Sequence, residues 1–340
     1  MFLNKNITPT GHTLLSVVIP TYNRPEALTQ TLAAILPQAR VFGVPVVILD
    51  NASPVPAQRL MESFVDYHDL VKIVRHQVNV GGNANLCRCF ELCESEWMWM
   101  LGDDDLPDEN CLIKILEEIE LLEEQCCFVN FSSTIYNHPV SLNMDGLESL
   151  SKQVENRRQA SNLLFISASI FNIPKCQKYL IEGYQNAYTC APHLAIVFSV
   201  LGNNAHSCRF SKSIIVQHVE PSAENNWSML TVFAGIPGLY ELDGQYGPMR
   251  SLVKVYLVLC RWNLFVINGT VAIFCDTRRP PRLWLLMLFR AGVLGNWWVK
   301  IQCAVMIAIL PLASISFIRK AIGWSLCRFD RNVTANSNRK

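Results

Sequence analysis

The sequence predicts an α/β fold: a mostly parallel sheet flanked by helices over residues 1–245, then a hydrophobic and basic helical region over 246–340. Three observations predict it. Short apolar runs alternate with stretches of helical period through the first half of the chain, the pattern of β–α–β crossovers whose sheet is covered on both faces. At 340 residues the chain can build one large core or two smaller ones. Charge is divided unevenly: from Arg250 onward 14 Lys and Arg face only Asp276 and Asp330, so that stretch carries +12 and the first 249 residues −11, although the whole chain is +1.

The elements follow in order. LLSVVIP, ending at Pro20, is a compact apolar strand, and RPEALTQTLAAILPQ after it has helical spacing with Pro25 in the favoured first turn. VPVVILD is a second buried strand ending at Asp50, and PAQRLMESFVDY reads as a helix. LVKIVRH is a third strand, GNANLCRCFELCES a helix, and EWMWML a fourth strand. ENCLIKILEEIELLEE is a strongly periodic helix, and CCFVNFSS a further strand.

In an open sheet of this kind ligands sit outside the carboxyl ends of the strands. The polar residues that follow the apolar runs are Thr21, Tyr22, Asn23 and Arg24; Asp50 and Asn51; Asn79 with Gly81 and Gly82; and the acids Asp103, Asp104 and Asp105. These should converge on one edge. No G-x-G-x-x-G follows the first strand and no G-x-x-x-x-G-K-[ST] occurs anywhere, which disfavours dinucleotide-binding dehydrogenases and P-loop enzymes. Adjacent carboxylates repel, and a divalent cation that takes its other ligands from phosphate and water would compensate them. Plainer roles compete: Asp50-Asn51 suits a turn, Asn79-Val80-Gly81-Gly82 suits a helix start, and Asp108 and Glu109 complement a helix dipole. A cap needs one acid, and the triplet has three.

SVVIPTYNRPEAL, VVILDNASP, NVGGNANL and WMLGDDDLP stand in the order and spacing of family 2 glycosyltransferases. The chain resembles that family closely over residues 14–135 and loosely over 136–245. Within it the chain is similar to bacterial O-antigen and polysaccharide sugar transferases, including the branch that transfers dideoxyhexoses. The resemblance implies a Rossmann-like GT-A fold, a nucleotide-sugar donor, a saccharide acceptor linked to a polyprenyl lipid, and Mg²⁺ or Mn²⁺. It implies that Thr21, Asn23 and Arg24 line the nucleotide pocket, that Asp50 accepts hydrogen bonds from the base, and that Asn79, Gly81 and Asn83 shape the wall beside base and ribose. Asp103 to Asp105 match the D-x-D signature, with Asp105 a direct metal ligand and Asp103 or Asp104 near the ribose or a metal-bound water. Many relatives carry an acid where this chain has Gly102.

Relatives supply a catalytic base, Asp or Glu, about 90 residues after the metal signature; here no acid lies between Glu182 and Glu220. His193 stands at the matching place and its ordinary pKa suits a base, although a histidine at a helix start also serves packing. Glu182 is the fallback. His218, after SIIVQ, matches the late histidine that such enzymes use on metal or phosphate, and Trp227 sits where a loop could close over the donor. The Q-x-x-R-W signature of processive synthases is absent, which favours transfer of a single sugar.

The thirteen cysteines follow no zinc spacing and read as buried thiols of a reducing compartment, Cys87, Cys89 and Cys93 on one helix. MFLNKNITPTGHT has no apolar core of the kind a signal peptide needs. LFVINGTVAIFC is too short to span a bilayer, and residues 301–318 form a marginal span interrupted by Pro311. Basic residues among aliphatic and Trp-rich runs favour an anionic membrane surface over nucleic acid, and place the chain on the cytoplasmic face of a bacterial inner membrane, with helices lying in the leaflet. Two other readings stand beside the enzyme: a relative that binds donor without turnover, since the usual base is missing, and a nucleotidyltransferase, although PTYNRPEAL lacks the glycine-rich loop of that class.

Overall fold

The computed structural model describes residues 13–154, 156–202 and 205–217, with 239, 285, 288–289, 297–315, 318 and 321–322. The chain divides into two units, Met1–Asn225 and Asn226–Lys340. The expected boundary at residue 245, the twelve-residue run 264–275, His218 and Trp227 lie outside the described residues.

The first unit is built on one nine-stranded sheet. Its strands are β1 (Leu15–Thr21), β2 (Val46–Asp50), β3 (Val71–Arg75), β4 (Trp97–Met100), β5 (Leu106–Pro107), β6 (Cys126–Ser133), β7 (Leu142–Asp145), β8 (Ser169–Asn172) and β9 (Ser207–Gln217). They run in the order β3-β2-β1-β4-β8-β6-β9-β5, with β7 paired to β9. The helices are α1 (Pro25–Phe42), α2 (Gly82–Leu92), α3 (Cys111–Glu120), α4 (Gly146–Gln153), α5 (Arg157–Leu164), α6 (Ile173–Cys176), α7 (Leu180–Gln185) and α8 (Pro192–Leu201).

Apolar runs put β1, β2 and β4 inside the sheet, off its edges, and every residue of Trp97–Met100 is buried. Such continuous runs suit strands covered on both faces. Helix α1 covers this half through Leu28, Leu32, Ile35, Leu36 and Ala39, spaced to form one apolar stripe, and α3 adds Leu112, Ile115 and Leu116. Gly43 closes α1 at φ 65°, a left-handed conformation that glycine adopts without penalty. The helix runs through Pro37 to Phe42, further than its expected end.

Two expectations need correction. PAQRLMESFVDY is not an α-helix but two 3₁₀ turns, Ala57–Ser63 and Val65–Tyr67. Only Ala57 and Met61 of the first turn are buried and none of the second, so no apolar stripe supports a longer helix. The sheet is parallel only in part. Strands β3, β2, β1 and β4 are parallel throughout, but β8 enters antiparallel between β4 and β6, and β5 and β7 pair antiparallel with β9. The parallel half is the one that the sequence pattern resolved.

In the second unit one helix, α9 (Trp297–Ser314), is described, with Pro311 inside it. Cys303, Met306 and Leu310 are buried while Trp297, Val305 and Leu312 are exposed. Among the described residues no helix is long and apolar enough to cross a membrane.

Candidate active site at the strand ends

Because β1, β2, β3 and β4 run parallel, the residues that follow them share one edge. Register places Thr21 beside Asp50 and Asp50 beside Arg75. The turn after β2 is held by Asp50 itself. Its Oδ1 accepts the Ser53 N–H at 2.7 Å, and its Oδ2 accepts the Ala57 N–H at 3.1 Å and Arg75 Nη1 at 2.5 Å. The carboxylate is fully buried. Burial pushes its pKa up, and the hydrogen bonds from Ser53, Ala57 and Arg75 outweigh that, leaving it below the usual value. Arg75 also donates to the Ser53 carbonyl at 2.8 Å. The turn reading of Asp50 is thus met by the protein's own donors.

The next wall is amide-built. Asn51 donates through Nδ2 to Asn79 Oδ1 at 2.9 Å and accepts the Val80 N–H, while Asn79 Oδ1 also accepts the Gly81 N–H at 2.8 Å. Gly81, at φ 87°, caps α2 by backbone shape, with no side-chain cap. Asn83 ties this wall to a later segment by donating to the Ala187 carbonyl at 2.7 Å. Asn23 sits at φ 55° and its N–H donates to Ser53 Oγ.

The acid triplet is compensated in part by protein. Arg24 Nη1 lies 3.1 Å from Asp103 Oδ1 and 2.8 Å from Asp104 Oδ2, and Thr21 Oγ1 donates to Asp103 Oδ2 at 2.7 Å. Thr31 Oγ1 lies within hydrogen-bond distance of the carbonyls of Asp103 and Asp105, and Ser167 Oγ donates to Asp105 Oδ2 at 2.6 Å. Burial, with the Asp104 charge beside it, still lifts Asp103 to about 6 against the pull of Arg24 and Thr21. Asp104 is more exposed than its two neighbours. Among the described residues no group of three or more His, Cys, Asp and Glu is placed to hold an ion alone. Hard carboxylate oxygens at a sheet edge nevertheless suit a cation that takes most of its ligands from diphosphate and water.

His193 does not join this edge. It is 1% exposed on α8, whose every residue is buried, with Nε2 on the Leu163 carbonyl at 3.3 Å and its ring edge-on to Phe171. Burial lowers its pKa to about 4 although the Leu163 carbonyl favours the charged form. A base must touch the acceptor hydroxyl, and the buried ring on the Leu163 carbonyl matches the packing role that a histidine at a helix start also serves. Glu182, on α7, is partly exposed. The sequence reading missed Arg75, Thr31 and Ser167. The position of Arg75 at the last residue of LVKIVR was a usable signal; Ser167, 62 residues after Asp105, had none. The ten described cysteines are all buried and free, and burial holds Cys87 up at about 12.

Comparison with known proteins meets this geometry. The sequence model of Glycosyl transferase family 2 matches residues 16–175, which include every strand end of the parallel half. Abequosyltransferase RfbV of Salmonella typhimurium is 31% identical over 94 residues, covering 27% of this chain and 28% of the relative. Glycosyltransferase GlyG of Streptococcus pneumoniae serotype 4 is 24% identical over 174 residues, 47% of this chain and 54% of the relative. The chain thus spans about a quarter and about half of the lengths of these two relatives. Among solved structures, S. aureus TarS 1–349 superposes at a TM-score of 0.54 with 13% identity, covering 90% of this chain and 91% of that one. The complex of that protein with UDP-GlcNAc gives 0.52 at 12%. The fold is accordingly that of the GT-A glycosyltransferases, and residues 16–175 of this chain match the glycosyl transferase family 2 model.

Proposed function

We propose that the chain is a glycosyltransferase that moves one sugar from a nucleotide-sugar donor to a saccharide acceptor, polyprenyl-linked, in bacterial surface-polysaccharide or O-antigen synthesis. The observation that carries the reading is the convergence of Thr21, Asp50, Asn79 and the acid triplet on one edge of the parallel half-sheet. The family match supports the reaction class, and the abequosyltransferase relative supports a dideoxyhexose donor.

The residues divide the work. The Asp50 turn and the Asn51–Asn79 wall form a rigid floor for base and ribose, while Asp103 and Asp105 face the diphosphate and would hold Mg²⁺ or Mn²⁺. Such an ion would supply Lewis-acid stabilisation to the departing nucleoside diphosphate. Arg24, paired with Asp103 and Asp104, is the mobile-length cation at the same edge and can turn toward phosphate oxygen as they are engaged. Glu182 is the remaining acidic candidate for the base, and His218 the candidate late ligand. The basic region 246–340 holds the chain at the cytoplasmic face of the inner membrane.

The burial of His193 gives a second reading its support: a donor-binding relative with little turnover. A screen of nucleotide sugars with purified protein and Mn²⁺ or Mg²⁺ separates the two. Sugar-dependent release of nucleoside diphosphate with a saccharide acceptor supports the enzyme, and saturable donor binding without release supports the binder. Release of part of the protein from membranes by high salt, and of the rest by mild detergent, is the expected behaviour of surface-lying basic helices; full solubility without detergent removes the membrane assignment.

A further inference from the structure

Gly102 immediately precedes the acid triplet, and the structure shows what fills the space beside it. A Cβ built on Gly102 would stand 2.5 Å from Asp105 Oδ2 and 3.2 Å from Ser167 Oγ. The Asp105 carboxylate therefore folds back into the volume that a side chain at 102 would take. There it meets Ser167, which is fully buried in the 3₁₀ turn Ile166–Ala168. The hydroxyl accepts the Gly102 N–H at 2.8 Å and donates to Asp105 Oδ2 at 2.6 Å, so its hydrogen has one assignment and the carboxylate one orientation.

Ser167 is itself fixed from behind. Its carbonyl accepts the Trp99 indole N–H at 2.8 Å, and the next carbonyl, Ala168, lies 3.4 Å from Asn130 Nδ2. Trp99 and Asn130 are fully buried. Thr31 meanwhile fixes the triplet backbone from the α1 side. A carboxylate that must meet a cation and a diphosphate in one orientation is the group for which such support matters.

We propose that Ser167 and Gly102 act as a positioning pair for Asp105: Gly102 leaves the space, and the Ser167 hydroxyl orients the carboxylate toward cation and diphosphate. This rests on Asp105 as the cation ligand. Partners of this kind, when removed, cost about 10- to 100-fold in metal affinity or activity.

The test titrates full-length protein with Mn²⁺ alone and reads the free ion by electron paramagnetic resonance. Ser167→Ala is expected to weaken Mn²⁺ binding about 10- to 100-fold, and Ser167→Thr, which keeps the hydroxyl, to weaken it less. Gly102→Ala, which keeps Ser167 but drives the carboxylate away, is expected to match Ser167→Ala. Asp105→Asn is the control. If it loses Mn²⁺ binding while folded Ser167→Ala keeps the wild-type affinity, the positioning role is overturned and the cation-ligand reading survives. If Asp105→Asn binds Mn²⁺ as the wild type does, that reading falls and takes the proposal with it. Should Ser167→Ala fail to fold, Gly102→Ala decides, and wild-type affinity in that variant overturns the proposal.

Discussion

Two carboxylates stand at the ends of β2 and β4, on either side of β1, and differ in almost every physical respect. Asp50, after β2, is fully buried and saturated by two backbone N–H groups and the Arg75 guanidinium, and its pKa is held below the usual value. Asp103, after β4, is 5% exposed, shares Arg24 with Asp104, and is lifted to about 6. One corner is finished by the protein; the other sets three consecutive carboxylates beside the Arg24 guanidinium, with Asp103 held above its ordinary pKa. The comparison teaches that acids at the carboxyl edge of a sheet are not equivalent sites. A saturated carboxylate holds its own turn, and a buried acid crowded by a second carboxylate is the kind of group whose pKa rises.

The comparison breaks most visibly at the acid triplet. Asp105→Asn keeps the side-chain shape and removes the charge, so cation-dependent transfer should fall by roughly 10²–10⁴ while circular dichroism stays that of the wild type. Near-normal transfer at limiting Mn²⁺ would take Asp105 out of the site.

The matching change on the finished corner should act on stability. Asp50→Ala leaves the Ser53 and Ala57 N–H groups and Arg75 without their acceptor, at a cost of about 2–4 kcal/mol. Urea denaturation reads it directly. A variant of wild-type stability with only a raised donor KM would show that Asp50 serves the base and not the turn.

How far the sequence carried follows the same division. Strands β1, β2 and β4 were legible because each is a compact apolar run ending in polar residues, a pattern that parallel burial imposes, and β3, at the sheet edge with no buried residue, was legible from its β-branched residues. Strand β8, SIFN, was not, because four residues after a long irregular stretch give no period to read. Its antiparallel entry between β4 and β6 is decided by tertiary pairing alone. In the site, the acid triplet and Asp50 announced themselves by position, whereas Ser167 and Thr31 became visible only once folding had brought them to the triplet. The burial of His193 was hidden for a related reason. Sequence separation placed it where a base is expected, but Pro192–Leu201 is buried all round and takes the ring into the core.

That burial has a pH signature. His193 and His138 are each lowered to about 4 by burial, His193 against the opposing pull of a carbonyl. Between the unfolded value near 6.5 and about 4 the unfolded chain binds more protons, so stability should fall as pH falls through that window. Asp103, raised to about 6, works the other way between roughly 4 and 6, where the folded state holds the extra proton. His206 and Asp50, both also held below their ordinary values, add to the two buried histidines, so against Asp103 alone acidification leaves a net loss, at least on the order of 2 kcal/mol between neutrality and pH 4.5. Denaturant midpoints across that range measure it; a flat profile would mean that His193 is not held neutral in the core.

The smallest expected effect isolates the contrast between the two corners. A ligand that binds only the folded chain stabilises it by about 1.4 kcal/mol at ten times its dissociation constant. Mn²⁺ should therefore raise the thermal midpoint of the wild type modestly, and of Asp50→Ala by a similar increment, because that corner offers no open oxygen to the ion. Asp105→Asn should show no increment. The protection should also fade as pH drops through about 6, where Asp103 takes up its proton and the triplet loses a negative charge. If Mn²⁺ stabilises Asp105→Asn as well as the wild type, or protects the wild type equally at pH 5 and pH 7.5, the carboxylate charge after β4 is not what draws the cation.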